Sequence, residues 1–355
     1  MNIHIFPREK FTVAYINFIN KNFCRDKHLF FLHGSNDSYK ESDLEFSDNV
    51  KDIDENMYLF LVRLNRSKKI LIHSLIIPKK LLVFLAVQKR LLNKMIWIVW
   101  GADLYYYREI KHNYKEKLLE YFRRKFIKNV DSMATLVRED YDLAIKWYKT
   151  NAKYFYAAYM DNEKTIQYLK NIRGLNDDIT KDYISILIGN SATETNNHIE
   201  VFKLLEKYKK EKIKIVCPLS YGDLKYAEQI IDCGKNIFDD KFIPLTSFMD
   251  SNEYMDLLNS VDIGIFNNNR QQALGNIFSL GYLGKKVYIR DDTSMWNELN
   301  SFLKLRISKI SKLKEEDFKS FIYISDHDKQ VNYMNLKHRY DTESIRITWE
   351  NIFNS

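Results

Sequence analysis

The sequence predicts an α/β protein with two doubly wound domains, each a parallel sheet covered by helices. Short apolar runs alternate with amphipathic helical patterns along most of the 355 residues. This order restarts after a polar stretch at 171–181. Strand–helix–strand order favours parallel sheets, because two parallel strands need a crossover connection between them. Ligands of such sheets bind outside the carboxyl ends of the strands. We therefore expect the two domains to face a cleft that holds the functional site.

The order of predicted elements sets the domain boundaries. The first domain is expected over 1–170 and the second over 180–330, followed by a C-terminal helix over 331–355 that could pack back on the first domain. Helices are predicted at 78–93, where proline suits the first turn, and at 251–259, where Asp250 and Glu253 form a capping-box pattern. Eleven apolar runs are predicted as strands: 4–6, 28–32, 69–75, 95–100, 132–137, 153–158, 183–188, 212–217, 242–248, 261–266 and 286–289.

Composition and the cysteines exclude several classes of protein. A hydrophobic content of 45% supports real cores and argues against intrinsic disorder. Cys24, Cys217 and Cys233 have neither metal-ligand nor disulfide spacing, which favours reduced core thiols in a cytosolic protein. No uninterrupted apolar run reaches the roughly 18 residues of a spanning helix. The N-terminus also lacks the features of a signal peptide. Neither a membrane span nor a leader is expected.

The net charge of +8 is concentrated in one segment. Residues 78–128 contain thirteen Lys and Arg against four Asp and Glu, a local balance of +9. The segment is also rich in aromatic residues. Such a surface suits an anionic membrane face or nucleic acid, although an ordinary solvated helix face is the alternative. No nucleic-acid-binding motif accompanies it, so the membrane is the expected partner. Within the segment, four residues spaced by four predict one apolar stripe on a helix over 112–127: Tyr114, Leu118, Phe122 and Phe126.

Candidate acid–base residues follow the strands of the first domain. The segment 100–105 (WGADLY) comes directly after a buried strand and places an acid and aromatic residues at its carboxyl end. Asp103 in this segment and His73 near the end of the preceding predicted strand are the two candidates for removing a proton from an attacking hydroxyl. The alternatives are that Asp103 caps the turn after Gly101 and that His73 is a core histidine. Nucleophilic catalysis finds no support, because no Gly-x-Ser-x-Gly elbow is present.

Two loops of the second domain predict a phosphate site. The first is Gly189-Asn190-Ser191, where a glycine at a strand end lets the backbone approach a ligand. The helix that follows offers unpaired N–H groups to an anion, and His198 is expected in its first turn. The alternative is a plain strand–helix connection.

The second loop joins a strand to an apolar helix. Residues 263–290 contain no Asp or Glu, so an arginine, amides and a helix start face an anion without a competing acid. The alternative is a polar loop with a glycine-relaxed helix start. Neither loop has the Walker or Gly-x-Gly-x-x-Gly pattern. The candidate residues of this loop are Arg270, Gln271, Gln272, Gly275 and Asn276.

These strings resemble one known family. The segments 100–105 (WGADLY), 189–191 (GNS) with 197–199 (NHI), and 270–272 (RQQ) with Gly275 resemble the 4-alpha-L-fucosyltransferases, in the same order along the chain. The segment 216–222 (VCPLSYG) adds support. The best-known activity of this family is the TDP-N-acetylfucosamine:lipid II N-acetylfucosaminyltransferase of bacterial surface-polysaccharide synthesis.

The resemblance implies a fold, an activity and a location. The fold is GT-B, with the acceptor handled by the N-terminal domain and the nucleotide sugar by the C-terminal one. The activity is transfer of a deoxy-amino sugar, with TDP the expected nucleotide, to a polyprenyl-linked saccharide. The enzyme is expected to be peripheral, on the cytoplasmic face of the inner membrane. We expect no metal or other cofactor, because cationic and amide groups near Arg270 can neutralise the diphosphate.

Three positions depart from the family pattern, all in the donor half. Ala192 and Thr193 stand where a glycine and an aspartate are expected, and Asn276 replaces a hydroxyl residue. A related glycosyltransferase with another nucleotide sugar, acting in capsule or lipopolysaccharide assembly, is therefore an alternative. A basic binding protein that kept the fold without activity is a second one.

Overall fold

The structure is a computed structural model that describes residues 1–9, 11–35, 39–109, 114–159, 163–173 and 181–355. The chain divides into two compact units. The first comprises Met1–Asn162 and Asp341–Ser355, and the second comprises Glu163–Tyr340. The sequence placed 163–170 in the first domain. Helix Glu163–Arg173 packs instead against helix Ser251–Ser260, which brings it into the second unit.

The first unit is built around a seven-stranded sheet. Every neighbouring pair is parallel, in the order β3-β2-β1-β4-β5-β6-β7. The chain fills one side of the sheet from β1 to β3 and then crosses to β4, so the switch point lies between β1 and β4. Its elements along the chain are β1 Asn2–Pro7, α1 Thr12–Asn22, β2 His28–His33, β3 Val50–Asp52, α2 Met57–Arg66, β4 Lys69–His73, α3 Lys79–Val87, α4 Lys89–Leu92, β5 Met95–Ile98, α5 Ala102–Glu109, α6 Tyr114–Asn129, β6 Ser132–Thr135, α7 Arg138–Tyr148 and β7 Lys153–Tyr156.

The second unit repeats this plan with six parallel strands. Their order is β10-β9-β8-β11-β12-β13, which puts the switch point between β8 and β11. The elements are α8 Glu163–Arg173, β8 Ile184–Ile188, α9 His198–Leu205, β9 Ile213–Pro218, α10 Leu224–Phe238, β10 Phe242–Leu245, α11 Ser251–Ser260, β11 Ile263–Phe266, α12 Leu274–Tyr282, β12 Lys286–Ile289, α13 Ser294–Trp296, β13 Ser308–Lys309, α14 Phe318–Ile322 and α15 Asp326–Leu336.

The last helix, α16 Thr342–Asn354, belongs to the first unit. The sequence predicted one helix across the C-terminal segment, but α15 ends at Leu336 and α16 starts afresh. The side chain of Asp341 accepts from the Ser344 N–H and caps the new helix. Trp349 of α16 is fully buried, and its indole Nε1 donates to the Ala158 carbonyl at 2.8 Å.

The central strands are buried because helices cover both faces of each sheet. In β5, for example, every residue is buried, as expected of a parallel sheet. The capping box at Asp250 and Glu253 is present at the start of α11, as predicted. The helix expected over 78–93 is broken at Gln88 into α3 and α4.

The predicted apolar stripe lies on α6, but only part of it is buried. Phe126 is fully buried, but Tyr114 and Leu118 are 81% and 49% exposed. Of the three cysteines, all free, only Cys217 is buried, and Cys24 is exposed. Among the helices of the described residues, none has both the length and the hydropathy needed to cross a membrane.

Candidate active site

The two loops predicted in the second unit lie side by side. They follow β8 and β11, which are neighbours at the switch point. Asn197 joins them: its backbone adopts the left-handed conformation with φ 50°, and its Nδ2 donates to the Asn267 carbonyl at 2.7 Å and to Asn269 Oδ1 at 2.8 Å. The structure therefore brings the two predicted strings to one edge of one sheet.

Amide side chains link the loops further. Gln272 Nε2 donates to Asn190 Oδ1 at 3.2 Å and lies 3.4 Å from Ser191 Oγ, while its Oε1 accepts from Thr195 Oγ1 at 2.8 Å. Asn190 Nδ2 in turn donates to the Tyr221 hydroxyl at 2.8 Å, which ties in the loop after β9. Three of the predicted residues thus share one hydrogen-bond network.

Asn196, which the sequence analysis missed, is the centre of this network. It is fully buried. Its Oδ1 accepts from the Asn190 N–H and from Asn268 Nδ2, both at 3.2 Å, and its Nδ2 donates to the Ser191 carbonyl at 3.2 Å. The runs of asparagine at 196–197 and 267–269 are the sequence signal that could have found it.

His198 does not lie where a phosphate could reach it in this conformation. Its side chain is fully buried, and Nε2 packs against the backbone of Gly189. Nδ1 lies 3.2 Å from the Tyr226 hydroxyl, whereas Nε2 has no hydrogen-bond partner among the described residues. Burial lowers the pKa of His198 to about 4, so the ring is neutral at pH 7. The geometry assigns it a packing role behind the loop.

The start of α12 offers the open space that an anion needs. Gly275, in the first turn, is exposed, and no atom lies within 4 Å of the position that a Cβ would occupy. Arg270, in the loop that leads into this helix, is half-buried, and its Nη1 lies 3.4 Å from the Gln271 carbonyl oxygen. Asn276 donates from Nδ2 to the Tyr254 hydroxyl at 2.6 Å. The unpaired N–H groups and the positive end of the helix dipole favour a phosphate at this point.

The unexpected Ala192 is held in a tight contact. It forms a parallel bridge with Gly222, whose φ is 117°. A Cβ on Gly222 would lie 2.3 Å from the Ala192 carbonyl oxygen. The glycine at 222 is therefore required by the close approach of the loop after β9 to the loop after β8.

The carboxylate of Asp103 is enclosed by hydrogen-bond donors. It is fully buried at the start of α5, and each of its oxygens accepts two hydrogen bonds. Oδ2 accepts from the Leu75 N–H at 2.9 Å and from Trp97 Nε1 at 2.8 Å, and Oδ1 accepts from the backbone N–H groups of Trp100 and Leu104 at 3.0 and 3.1 Å. With all its hydrogen-bonding positions engaged, this carboxylate is poorly placed to take a proton from a substrate. The geometry favours the capping alternative.

His73, the other acid–base candidate, is also fully buried but belongs to a chain of polar groups. Its Nδ1 lies 2.5 Å from the Tyr159 hydroxyl, and its Nε2 lies 3.3 Å from His4 Nδ1. His4 Nε2 continues to His28 Nδ1 at 2.9 Å. Sequence reasoning missed His4, His28 and Tyr159. The alternation of histidines on β1, β2 and β4 was the available signal, but it becomes informative only once the strand register is known.

Comparison with known families identifies the chain. The model of the family "4-alpha-L-fucosyltransferase, glycosyl transferase group 56" matches residues 15–337. The chain belongs to this family. It is therefore a glycosyltransferase, as the resemblance of its three strings implied.

Solved structures with the same fold are distant in sequence. HepE of Anabaena in complex with UDP and glucose has a TM-score of 0.67 at 11% identity, over 100% of this chain and 99% of that one. An alpha,alpha-trehalose 6-phosphate synthase of Burkholderia multivorans has a TM-score of 0.62 at 9% identity, over 99% and 96%. The N-terminal domain of Candida albicans trehalose-6-phosphate phosphatase has a TM-score of 0.60 at 10% identity, over 99% and 96%. The fold is GT-B, as predicted.

Proposed function

We propose that the enzyme transfers a deoxy-amino sugar of the N-acetylfucosamine type from a nucleoside diphosphate, with TDP the expected carrier, to a polyprenyl-diphosphate-linked saccharide. The observation that carries the proposal is the open start of α12 at Gly275, in the loop-and-helix segment that also contains Arg270, in a chain of the fucosyltransferase family. Helix N–H groups and a guanidinium are suited to neutralise the diphosphate as the glycosidic bond to the sugar breaks.

Diphosphate binding on these groups is proposed to need no metal ion. Residues 263–290 carry no Asp or Glu that could ligate a divalent cation. Among the described residues, no group of three or more His, Cys, Asp or Glu is placed to hold a metal. The positive charge would come from the protein itself, through Arg270 and the helix dipole.

A different nucleotide sugar is the competing proposal. It is favoured by Ala192, Thr193 and Asn276, which depart from the family pattern in the loops that would meet the donor. HepE of Anabaena, a structural neighbour, has been solved with UDP and with UDP-glucose. A UDP-sugar used in capsule or lipopolysaccharide assembly is therefore the second candidate.

Membrane attachment is proposed to occur through α6 and its neighbour α3. The exposed face of α6 combines aromatic, apolar and basic side chains, including Tyr114, Leu118 and Tyr121 at 81, 49 and 60% exposure. Exposed basic side chains accompany them: Lys79, Lys80, Lys115, Lys117, Arg124, Lys125 and Lys128. Aromatic rings suit the headgroup layer and the cations suit anionic lipids. This surface supports a peripheral enzyme on the cytoplasmic face of the inner membrane, where lipid-linked saccharides are accessible.

Calorimetric titration tests the donor half of the proposal. The protein is titrated with TDP, UDP and GDP in EDTA, and the tightest nucleotide then decides which sugars are screened. We expect one nucleoside diphosphate to bind at least tenfold more tightly than the other two. Equal and weak heats for all three would contradict a nucleotide-sugar enzyme.

A further inference from the structure

The hydrogen bonds of the polar chain inside the first unit can all run in one direction. Indole Nε1 can only donate, so Trp100 donates to the Tyr159 hydroxyl oxygen at 2.9 Å. The hydroxyl of Tyr159 can then donate to His73 Nδ1, which lies 2.5 Å away. A neutral imidazole that accepts at Nδ1 carries its proton on Nε2. This proton faces His4 Nδ1 at 3.3 Å.

With this direction, the tautomers of the remaining two rings follow from the same donor and acceptor rule. His4 accepts at Nδ1 and therefore donates from Nε2 to His28 Nδ1 at 2.9 Å. His28 in turn keeps its proton on Nε2. The hydroxyl of Tyr15, 3.3 Å from His4 Nδ1, is a second donor to the same acceptor and does not interrupt the sequence. We call Tyr159, His73, His4 and His28 the histidine chain. All its members can be neutral at once without two protons or two lone pairs facing each other.

The histidine chain runs along the sheet from the carboxyl ends of its strands to their amino ends. His73 is the last residue of β4, and Trp100 follows the end of β5, so the Tyr159 end lies at the carboxyl edge. His28 is the first residue of β2 and pairs with Asn2, at the amino edge. Strand register places the three histidines on one face of the sheet, which α1 and α16 cover.

Apolar rings enclose the histidine chain along its length. Phe6 stacks on His73 with ring centroids 4.0 Å apart, Phe30 stacks on His4 at 4.5 Å, and Phe353 of α16 meets His28 edge-on at 4.6 Å. His4 and His73 are 0% exposed. Burial lowers the pKa of both rings well below 6.5, so an imidazolium inside this enclosure is disfavoured.

We propose that Tyr159 takes the proton of the acceptor hydroxyl during sugar transfer and that the histidine chain moves a proton to His28 in exchange. The inference rests on the proposed transferase function. The acceptor O–H bond breaks as the Tyr159 oxygen gains that proton. The former Tyr159 proton passes to His73 Nδ1, the His73 Nε2 proton to His4 Nδ1, and the His4 Nε2 proton to His28 Nδ1. His28 releases its Nε2 proton to water.

Every member stays neutral through these transfers, which suits a dry interior. After the product leaves, His28 takes a proton from water and the transfers run backwards, so that Tyr159 releases a proton at the carboxyl edge and the chain is restored. Tyr159, which is half-buried, would be the catalytic residue. The three histidines act through it and are positioning residues. Asp103, whose oxygens are fully engaged, is not needed for this step.

Two matched variants separate a relay from a packing role. His4→Phe keeps an aromatic ring against Phe30 but cuts the chain. Tyr15→Phe removes the side donor to His4 and leaves the chain intact. We expect His4→Phe to lower kcat by roughly 10²-fold, within the range of general-base contributions, with KM unchanged. Tyr15→Phe should keep kcat within about threefold, since only an accessory hydrogen bond is lost.

Solvent isotope effects give a readout that a structural role would not move. The experiment measures kcat in mixtures of H₂O and D₂O. For the wild type and for Tyr15→Phe, a plot of kcat against the fraction of deuterium should be curved, because several protons move together. In His4→Phe the curvature should disappear. If His4→Phe does not fold, His28→Phe cuts the same chain at its end and should show the same loss of curvature.

Nitrogen-15 NMR tests the hydrogen-bond direction without any substrate. We expect the Nε2-protonated tautomer at pH 7 for His4, His28 and His73. An Nδ1-protonated ring at any of the three would overturn the relay. The relay would also be overturned if His4→Phe had the same kcat and the same curved isotope dependence as the wild type. A wild type that transfers no sugar from any donor would instead contradict the proposed function.

Discussion

His198 occupies the space that a side chain at Gly189 would need. A Cβ at position 189 would lie 2.6 Å from His198 Nε2 and 3.0 Å from Asn196 Oδ1. The backbone of Gly189 also has φ 68°, a conformation that L residues rarely adopt. The glycine that ends β8 is thus required by two independent constraints, and both hold the loop that carries Asn190 and Ser191 in place.

Gly189→Ala should therefore destabilise the protein. The left-handed backbone costs about 1–2 kcal/mol with a Cβ, and the contact with His198 adds to it. Denaturant unfolding gives the free energy. Gly275→Ala is the matched control, because no atom lies within 4 Å of its Cβ position, and its unfolding free energy should stay the same or rise by about 0.5–1 kcal/mol. Equal stability of the two variants would contradict the packing role of His198.

Arg270→Ala should weaken nucleoside-diphosphate binding by about 1.5–3 kcal/mol if the guanidinium pairs with the diphosphate. Calorimetric titration in EDTA measures the change. Arg306→Ala is the control. Arg306 belongs to the same unit but lies outside both loops, so the affinity should stay unchanged. Loss of binding in EDTA that manganese restores would show that a metal ion, and not Arg270, neutralises the phosphates.

Asp103→Asn should reduce stability rather than act only on turnover. In the variant an NH₂ group replaces one carboxylate oxygen and faces N–H donors. Each buried donor that loses its acceptor should lower the free energy of unfolding by about 1–3 kcal/mol. Chemical denaturation measures the loss of unfolding free energy. An Asp103→Asn protein with an unchanged melting temperature and no turnover would instead restore Asp103 as the general base.

Membrane binding should depend on the exposed face of α6. Lys117→Glu with Lys125→Glu should lower affinity for anionic vesicles by at least about 2 kcal/mol, since each cation near the surface contributes about 1 kcal/mol. Vesicle co-sedimentation measures it and should also weaken steeply with salt. Lys225→Glu with Lys235→Glu on α10 carries the same charge change and should have little effect. Equal binding to neutral and anionic vesicles would show α6 to be an ordinary solvated helix.

Stability should fall as the pH drops from about 6.5 towards 4. Burial lowers the pKa of three histidines to about 4 and that of two others well below 6.5. The unfolded protein therefore binds more protons than the folded protein in this window. The folded protein keeps its full stability at pH values above the histidine pKa of the unfolded state. Each such histidine contributes about 1.4 kcal/mol per pH unit to the slope. The residues are His4, His28, His33, His73 and His198.

Urea midpoints between pH 4.5 and 7.5 measure this slope. His198→Gln removes one of the five groups and should reduce the slope by about one proton. A stability that is flat across this range would show that the buried histidines are not held neutral by the fold.

The fold was predictable because both sheets are parallel and buried. Their strands are short apolar runs that stand out from the helices, and the run at 286–289 was placed without error. Strands β3 and β13 were missed, because Val50–Asp52 and Ser308–Lys309 are too short and too polar to show a pattern. The break between α15 and α16 was missed because Asp341 resembles any polar helix residue until its cap is seen.

The site was only partly predictable. The loops after β8 and β11 could be named from glycines and amides at strand ends, and their meeting follows from sheet order. Burial could not be predicted in the same way. Asp103 and His198 have the residue types of catalytic and phosphate-binding groups, but the fold encloses both. The histidine chain depends on the register of β1 against β2 and β4, which no local pattern specifies.

Sugar transfer itself is the most direct test of the account. The enzyme is incubated in EDTA with nucleotide sugars and a polyprenyl-diphosphate saccharide, and mass spectrometry follows both substrates. The account predicts that the saccharide gains the mass of one deoxy-amino sugar while the donor becomes a nucleoside diphosphate, and that Arg270→Ala greatly slows both changes. Donor that is hydrolysed without any gain of mass by the saccharide, or a reaction that needs a metal ion, would contradict it.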